Sequence, residues 1–341
     1  MAQFVPRQSF VVPNSIPKTY YIGHHAKGFG EMTRMKSHIS LALECRDARV
    51  PFTSHNPNLD RIIGGSERII IYTKCDYTTD SPNLQSTLRK IHGDNIIFWD
   101  KHRPSTTDKL LKMIKRAAVA QDSILGLRAI VVGVPNVGKS SVLNALRFQG
   151  IPKKTAKVAR TGDQAGVTRK MGTNVRILDP EGKEKSKGVG LNGAFLLDTP
   201  GVFPPYVRNG EAMLKFALVQ GIKDGLIPAE ILVDYLLYRI NLFKPTLYNR
   251  YCEPTNDIHE FLTAVAWKDG LIKPKGVPDL QSAASRILHL WRHGKMGKFV
   301  LDDVSDEGSE KHRQSIGNPP LSLNQAKKQK KQAIAQEKAG A

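Results

Sequence analysis

One segment of the chain has the residue types and spacing of a phosphate-binding loop. Residues 133–140 read Gly-Val-Pro-Asn-Val-Gly-Lys-Ser and match the pattern GxxxxGK[ST]. Its glycines let backbone N–H groups face phosphate oxygens, its lysine reaches the β- and γ-phosphates, and its serine hydroxyl can hold Mg²⁺. The apolar runs AIVV before it and SSVLNAL after it predict the flanking strand and helix that the loop needs. The predicted nucleotide contacts here are Gly133, Pro135, Asn136, Val137, Gly138, Lys139, Ser140 and Ser141.

A second segment has the composition of a magnesium-binding switch. Residues 198–201 read Asp-Thr-Pro-Gly and follow the apolar run FLL. An Asp at the end of a strand can hold Mg²⁺, and the following Gly can turn its N–H toward the γ-phosphate. Thr168 lies between the two motifs and is a candidate sensor of the γ-phosphate, with an ordinary loop threonine as the alternative. We predict Ser140, Thr168 and Asp198 as metal ligands, Asp198 and Gly201 as nucleotide contacts, and Lys139, Thr168 and Gly201 as catalytic residues.

A third segment predicts that the base is guanine. Thr73-Lys74-Cys-Asp76 follows the run IIIY and resembles the NKxD motif of GTPases. The Asp76 carboxylate would accept two hydrogen bonds that guanine donates and adenine cannot, while the Lys74 stem would pack along the base. Thr73 replaces the usual Asn and removes an amide that ties this segment to the phosphate-binding loop. We therefore expect weaker nucleotide binding.

The order of these motifs is rotated. Residues 73–76 precede the phosphate-binding loop, whereas the base-reading motif of ordinary GTPases follows it. This order predicts a circularly permuted GTPase domain. The alternative is that residues 73–76 match by chance and the base is read downstream, but no convincing NKxD follows residue 201.

The elements around these motifs predict an α/β fold. Short apolar runs predict strands at 41–45, 69–72, 95–98, 129–132, 175–178 and 195–197. Several of these runs lack alternation, as expected of strands that are buried on both faces of a mostly parallel sheet. Helices are predicted at 107–120 and 139–146, and then at 211–222, 228–240, 257–267 and 279–293. We predict a leader at 1–19, for which a mitochondrial transit segment and an ordinary frayed terminus are the alternatives, and the permuted GTPase domain at 20–205. A small all-helical domain at 206–300 and a basic disordered tail at 301–341 follow.

Charge indicates the kind of partner. The chain has 51 Lys and Arg against 31 Asp and Glu, a formal net charge of +20. Nucleic acid is the first partner that such charge favours, and an acidic membrane surface the second. No apolar run is long enough for a membrane span, and three scattered cysteines favour a reducing compartment. The predicted RNA-binding residues, with a solvated surface as the alternative, are Lys153, Lys154, Lys157, Arg160, Arg169 and Lys170.

Further segments carry a family resemblance. Residues 23–28 (GHHAKG) resemble a GHMAK segment, and residues 44–57 (ECRDARVPFTSHNP) resemble a DAR-x-P stretch. With the motifs above, the chain resembles the YlqF/RbgA family of permuted GTPases over roughly residues 20–295. A departure is the Asp-Lys-His at 100–102, where a small-residue loop is expected to support the guanine.

The resemblance implies a GTP-hydrolysing factor that binds rRNA and assembles the large ribosomal subunit. Chain length and an acid-poor leader favour the mitochondrial members, in the matrix or peripheral on the inner membrane, over nucleolar or cytosolic ones. It also implies GTP/GDP, Mg²⁺ and K⁺ as cofactors, K⁺ beside Asn136, His24 in activation, and a monomer. The alternatives are a surface or packed histidine at position 24 and a loop-stabilising amide at position 136. Val202 stands where Ras-like enzymes have a water-orienting Gln, so we expect slow hydrolysis until ribosomal particles stimulate it. A metabolic P-loop ATPase or kinase is the alternative class.

Overall fold

The computed structural model describes residues 4–17, 20, 23–121, 123–151, 172, 174–180, 192–204, 207, 210–317 and 328. Six strands form one sheet, and all six predicted strands are confirmed. They are β1 (Leu41–Asp47), β2 (Glu67–Thr73), β3 (Ile96–Phe98), β4 (Leu127–Val132), β5 (Asn174–Leu178) and β6 (Ala194–Asp198).

The sheet order is β3-β2-β1-β4-β6-β5. All neighbouring pairs are parallel except β5 with β6, which run antiparallel, so the predicted mostly parallel sheet is confirmed. β1 lies between β2 and β4 and pairs with both. Because carboxyl ends of parallel strands share one edge, this order brings the segments after β2, β4 and β6 together despite their rotated sequence order.

Helices cover both faces of the sheet. They are α1 (Gly23–Met35), α2 (Pro57–Ile63), α3 (Leu84–His92), α4 (Pro104–Gln121) and α5 (Lys139–Gly150). Leu43 of β1 faces a core with Leu110 of α4 and Val142 of α5. Ala42 faces the other side, against Met32 of α1 and Leu59 of α2. Burial on both faces explains why these strands read as continuous apolar runs.

A helical region follows the sheet. It contains α6 (Gly210–Leu218), α7 (Ala229–Phe243), α8 (Ile258–Lys268) and α9 (Leu280–Arg292), with a short hairpin of β7 (Ile272–Lys273) and β8 (Val277–Pro278). The four predicted helices are therefore confirmed, with ends shifted by a few residues. Asp257 and Asp279 cap α8 and α9 by accepting from backbone N–H groups. None of the helices in the described ranges is long and apolar enough to cross a membrane.

The first residues of the chain pack onto this helical region. Arg7 forms an ion pair with Asp234 of α7 at 2.6 Å, and the Phe10 ring contacts the Tyr235 ring edge-on. Ile16 is 4% exposed and belongs to the main core. The alternative of a frayed terminus is therefore wrong for residues 4–17, while the transit-segment interpretation stays a prediction.

The prediction of a disordered tail is wrong for residues 301–317. The segment after α9 returns to the sheet, where Asp302 accepts hydrogen bonds from the backbone N–H groups of Phe52 and Thr53. Helix α10 (Asp306–Gly317) follows, and its His312 ring stacks on Phe52 at 4.4 Å. Polar composition predicted a solvated chain, but a buried carboxylate and one aromatic stack give this segment a place in the fold.

Candidate functional site

The phosphate-binding loop leaves β4 in a conformation that requires glycine. Gly133 has φ 147°, and a Cβ there would lie 2.4 Å from the Cys45 carbonyl oxygen of β1. The loop therefore turns tightly over the neighbouring strand before α5 begins at Lys139. Pro135 and Val137 are buried in this loop, and Ser141 is half-buried in the first turn of α5. The predicted strand–loop–helix arrangement is present, with the positive end of α5 at the loop.

Lys139 and Asp198 lie together under this loop. Lys139 is 6% exposed, and its ammonium donates to the carbonyls of Gly133 at 3.3 Å and Val134 at 2.9 Å. Burial lowers the pKa of Lys139, and the Asp198 carboxylate opposes that effect. Burial raises the pKa of Asp198, and Lys139 opposes it. A phosphate group at this position would favour the charged form of the lysine by the same electrostatics.

The oxygen atoms at this end of the site suit a magnesium ion. Ser140 Oγ donates to Asp198 Oδ2 at 3.1 Å. Asp198 Oδ1 is buried and has no hydrogen-bond partner among the described residues. An unpartnered carboxylate oxygen beside a hydroxyl is the hard donor set that Mg²⁺ takes, and Mg²⁺ usually needs only one or two such protein ligands besides phosphate and water. The third predicted ligand, Thr168, lies outside the described residues.

The Asp-Thr-Pro-Gly segment and the following Val202 contact the phosphate-binding loop and Asn56. A Cβ at Gly201 would lie 2.6 Å from Pro135 Cα, so only glycine fits against the phosphate-binding loop. Val202 is 1% exposed, its N–H donates to the Gly133 carbonyl at 3.2 Å, and its carbonyl accepts from the Asn56 amide at 2.9 Å. Its aliphatic side chain has no group that could orient water, as the sequence predicted.

Helix α1 covers the same segment. A Cβ at Gly28 would lie 2.7 Å from Pro200 Cγ, so α1 approaches the switch closely at this residue. Position 24 lies one helical turn before Gly28 in α1, and the role predicted for His24 stays a prediction.

The Thr73 hydroxyl makes the contact that was expected to be lost because Thr replaces the usual Asn. Its buried hydroxyl lies 2.5 Å from the Val137 carbonyl oxygen of the phosphate-binding loop and 3.1 Å from the Arg46 carbonyl oxygen. The end of β2 is thus tied to the phosphate-binding loop across the end of β1. The expectation that losing the Asn would remove this tie is wrong, because a hydroxyl makes it instead of an amide.

Lys74 and Asp76, the other predicted base-reading residues, follow Thr73 in the chain. Lys74 has φ 57° and its ammonium pairs with Asp47 at 3.0 Å, a contact that the sequence did not predict. Burial favours the neutral form of Asp47, but Arg49 and Lys74 outweigh burial and hold its pKa well below the usual range. Asp76 is half-buried in the turn that follows. Asp47 thereby fixes the lysine beside the candidate base pocket, and its place in the DAR-x-P stretch is the signal that could have found it.

The segment at 100–102 stands at the same edge of the sheet, after β3. Asp100 is 6% exposed and accepts from the His102 N–H at 2.8 Å. The Cys75 thiol contacts the Trp99 carbonyl oxygen at 3.4 Å, which joins this segment to the Thr73–Asp76 segment. The structure therefore brings the predicted base-reading, phosphate and switch segments to one edge.

Asn136 connects the phosphate-binding loop to the helical region. Its amide donates to the Gln220 carbonyl at 2.8 Å, in the turn between α6 and α7. The potassium contact predicted for Asn136 stays a prediction. The predicted RNA-binding residues at 153–170 lie outside the described residues.

Comparison with solved structures supports this architecture. The structure titled "Crystal structure of GNP-bound YlqF from T. maritima" aligns with 82% of this chain and 98% of its own, with a TM-score of 0.54 and 24% identity. A family described as "50S ribosome-binding GTPase" matches residues 128–259. The molecule is a circularly permuted P-loop GTPase.

Two curated relatives give the family. Mitochondrial GTPase 1 of Schizosaccharomyces japonicus is 32% identical over 312 residues, which cover 85% of this chain and 91% of the relative. Mitochondrial ribosome-associated GTPase 1 of Xenopus tropicalis is 30% identical over 322 residues, which cover 87% of this chain and 98% of the relative. The chain belongs to the mitochondrial GTPase 1 family, and its activity is GTP hydrolysis.

Proposed function

We propose that this GTPase acts in assembly of the mitochondrial large ribosomal subunit and binds the subunit and its rRNA according to its nucleotide state. The names of the relatives support the compartment and the ribosomal partner. The net charge of +20 supports an RNA partner. Nucleolar or cytosolic residence is the alternative location.

The observation that carries the proposal is a chain of contacts from the switch to the helical region. The Val202 carbonyl accepts a hydrogen bond from Asn56. Thr53, three residues before Asn56, donates hydrogen bonds from its N–H and its hydroxyl to Asp302. Asp302 also pairs with Lys215 of α6 at 3.2 Å. A γ-phosphate that repositions the segment at 198–202 would therefore move contacts that join the sheet to α6 and the C-terminal segment.

The site residues have separate roles in this mechanism. Backbone N–H groups of the phosphate-binding loop and the Lys139 ammonium bind the phosphates, and Asp76 accepts from guanine. Ser140 and Asp198 would hold Mg²⁺, which neutralises charge that develops on the phosphates. Val202 cannot position water, so we place activation in His24, a K⁺ ion beside Asn136, or a group supplied by the ribosomal particle.

The test pairs nucleotide exchange with sedimentation. Asp76→Asn should weaken GTP binding and improve binding of xanthosine triphosphate, because an amide matches the carbonyl of xanthine. Asp108→Asn removes an exposed carboxylate from α4 and serves as the control. Purified mitochondrial large subunits should sediment with the native protein in a non-hydrolysable GTP analogue more than in GDP, and with Asp76→Asn in the xanthosine analogue.

Two outcomes would contradict different parts of the proposal. Unchanged GTP affinity in Asp76→Asn would show that the base is read elsewhere. Sedimentation that is equal in GTP analogue, GDP and no nucleotide would show that the nucleotide does not control ribosome binding.

A further inference from the structure

A cleft lies at the far edge of the sheet, beside β3. It has a volume of about 410 Å³ and lies between α3 and α4, with the starts of β2 and β3 behind it. β3 is the last strand in the sheet order, and no other strand in the described ranges pairs with its outer side.

Four cationic side chains line this cleft. Lys109, Lys112 and Arg116 come from α4, and Arg89 comes from α3. Spacings of three and four residues place the first three on one face of α4, over about 10 Å of helix axis. At an axial spacing of about 3.4 Å per phosphate in one strand of a duplex, that length corresponds to roughly three phosphate-to-phosphate intervals. All four residues are exposed.

These cations are left without acidic partners. None of the four forms an ion pair with any residue that the structure describes, and the Arg89 guanidinium instead lies 5.7 Å from the centre of the Phe98 ring. By contrast, Arg292 of α9 is held by an ion pair with Asp224 at 2.6 Å. Glu67 and Asp94 also line the cleft, so the lining carries two more positive than negative charges.

The floor of the cleft argues against a small anion as its ligand. Ile69, Ile96 and Ile97 are at most 6% exposed and form an apolar base. A site for a small phosphate compound needs polar groups that converge inside the pocket. In this cleft the donors stand along the rim instead, which suits a ligand whose charges are spread along its length.

We propose that this cleft, formed by Arg89, Lys109, Lys112 and Arg116, binds the phosphate backbone of an RNA strand. The proposal rests on the proposed function, because it gives the ribosome-binding GTPase a contact at the β3 edge. The competing explanation is that the cations only protect an edge strand from pairing with another chain.

The test removes three charges and measures RNA affinity. The cleft variant combines Lys109→Gln, Lys112→Gln and Arg116→Gln, and the control variant combines Lys223→Gln, Lys244→Gln and Lys268→Gln. All six side chains are exposed, so neither variant should unfold the protein. The probe is a fluorescein-labelled 30-nucleotide RNA hairpin, followed by anisotropy between 50 and 300 mM KCl.

The cleft variant should bind the hairpin at least tenfold more weakly at about 100 mM KCl. Its plot of log affinity against log salt should be shallower by about 2 to 3, because each lost phosphate contact removes roughly 0.7 to 0.9 from the slope. The control variant should lose less than threefold. A third variant that keeps the charge, with Lys109→Arg, Lys112→Arg and Arg116→Lys, should bind like the native protein.

Several outcomes would overturn the proposal. The cleft variant could bind RNA as tightly as the native protein, or the control could lose as much affinity. The cleft variant could also form dimers or aggregates with unchanged RNA affinity, which would support edge protection. If the cleft variant bound poly-glutamate, a model acidic peptide, more weakly than the native protein and bound RNA equally well, the cleft would have an acidic protein partner instead.

Sedimentation with large subunits separates this proposal from the proposed function. If the native protein fails to sediment with subunits while the hairpin results hold, the proposed function fails and the cleft stands. If native and cleft variants bind the hairpin and the subunits equally well, the cleft proposal fails and the proposed function stands.

Discussion

The Thr73 hydroxyl gives a quantitative prediction about how the base-reading and phosphate-binding segments are joined. Thr73 is fully buried, and its hydroxyl lies 2.5 Å from the Val137 carbonyl oxygen. Thr73→Val keeps the shape of the side chain and removes this donor. Because a buried acceptor then loses its partner, the free energy of unfolding should fall by about 1–3 kcal/mol.

Nucleotide affinity should fall as well. Thr73 also packs against the loop, since a Cβ at Gly138 would lie 3.7 Å from Thr73 Cβ. Without the hydrogen bond, the loop must be ordered by the nucleotide itself. If ordering the loop makes the binding free energy about 1.4 kcal/mol less favourable, GDP and GTP will bind about tenfold more weakly.

The assay combines titration of a fluorescent GDP analogue with urea unfolding. Tyr248→Phe is the matched control, because it removes another buried hydroxyl, which lies 2.6 Å from the Asn241 side-chain oxygen in the helical region. The control should lose similar stability and keep native affinity. If Thr73→Val binds nucleotide like the control, the hydroxyl does not hold the phosphate-binding loop in place.

Two further predictions concern α1 and α10. Gly28→Ala places a methyl group 2.7 Å from Pro200 Cγ and should slow single-turnover GTP hydrolysis several-fold. The control Gly30→Ala places its methyl group where no other atom lies within 4 Å, and it should stabilise α1 by about 0.5–1 kcal/mol. Equal hydrolysis rates in the two variants would show that α1 does not restrain the switch. Burial, with the positive charges of His55 and Arg46, lowers the pKa of His312 to about 3. The unfolded chain then binds the extra proton between about pH 6.5 and 3, so this group lowers stability as the pH falls, by about 2 kcal/mol from pH 7 to 5. Urea unfolding at both pH values should show a smaller loss in His312→Phe, and an unchanged loss would place His312 in solvent.

Local pattern was enough to predict the strands and the phosphate-binding loop. Most residues of β2, β4 and β6 are buried and apolar, which makes these strands visible without knowledge of their neighbours. The phosphate-binding loop is also local, because glycine is needed where φ is positive and lysine and serine follow at fixed spacing. The permutation was readable because it is a property of order alone.

β1 shows what local pattern could not predict. Glu44 and Arg46 are each 1% exposed within this strand, although charged residues usually lie at the surface. The Arg46 guanidinium bonds Glu44 at 2.7 Å, and Arg68 of β2 bonds the same carboxylate at 3.1 Å. Buried charge is tolerated only when partners are supplied, and here one partner comes from a different strand.

The amino-acid sequence by itself determined the identity and order of the nucleotide-binding segments, because each one depends on residues that are adjacent in the chain. Only the tertiary structure decided how they are joined: Thr73 to Val137, Asn56 to Val202, and Asp302 to Thr53. These hydrogen bonds link residues that are far apart in sequence, and they form only after the sheet and helices have brought their donors and acceptors together.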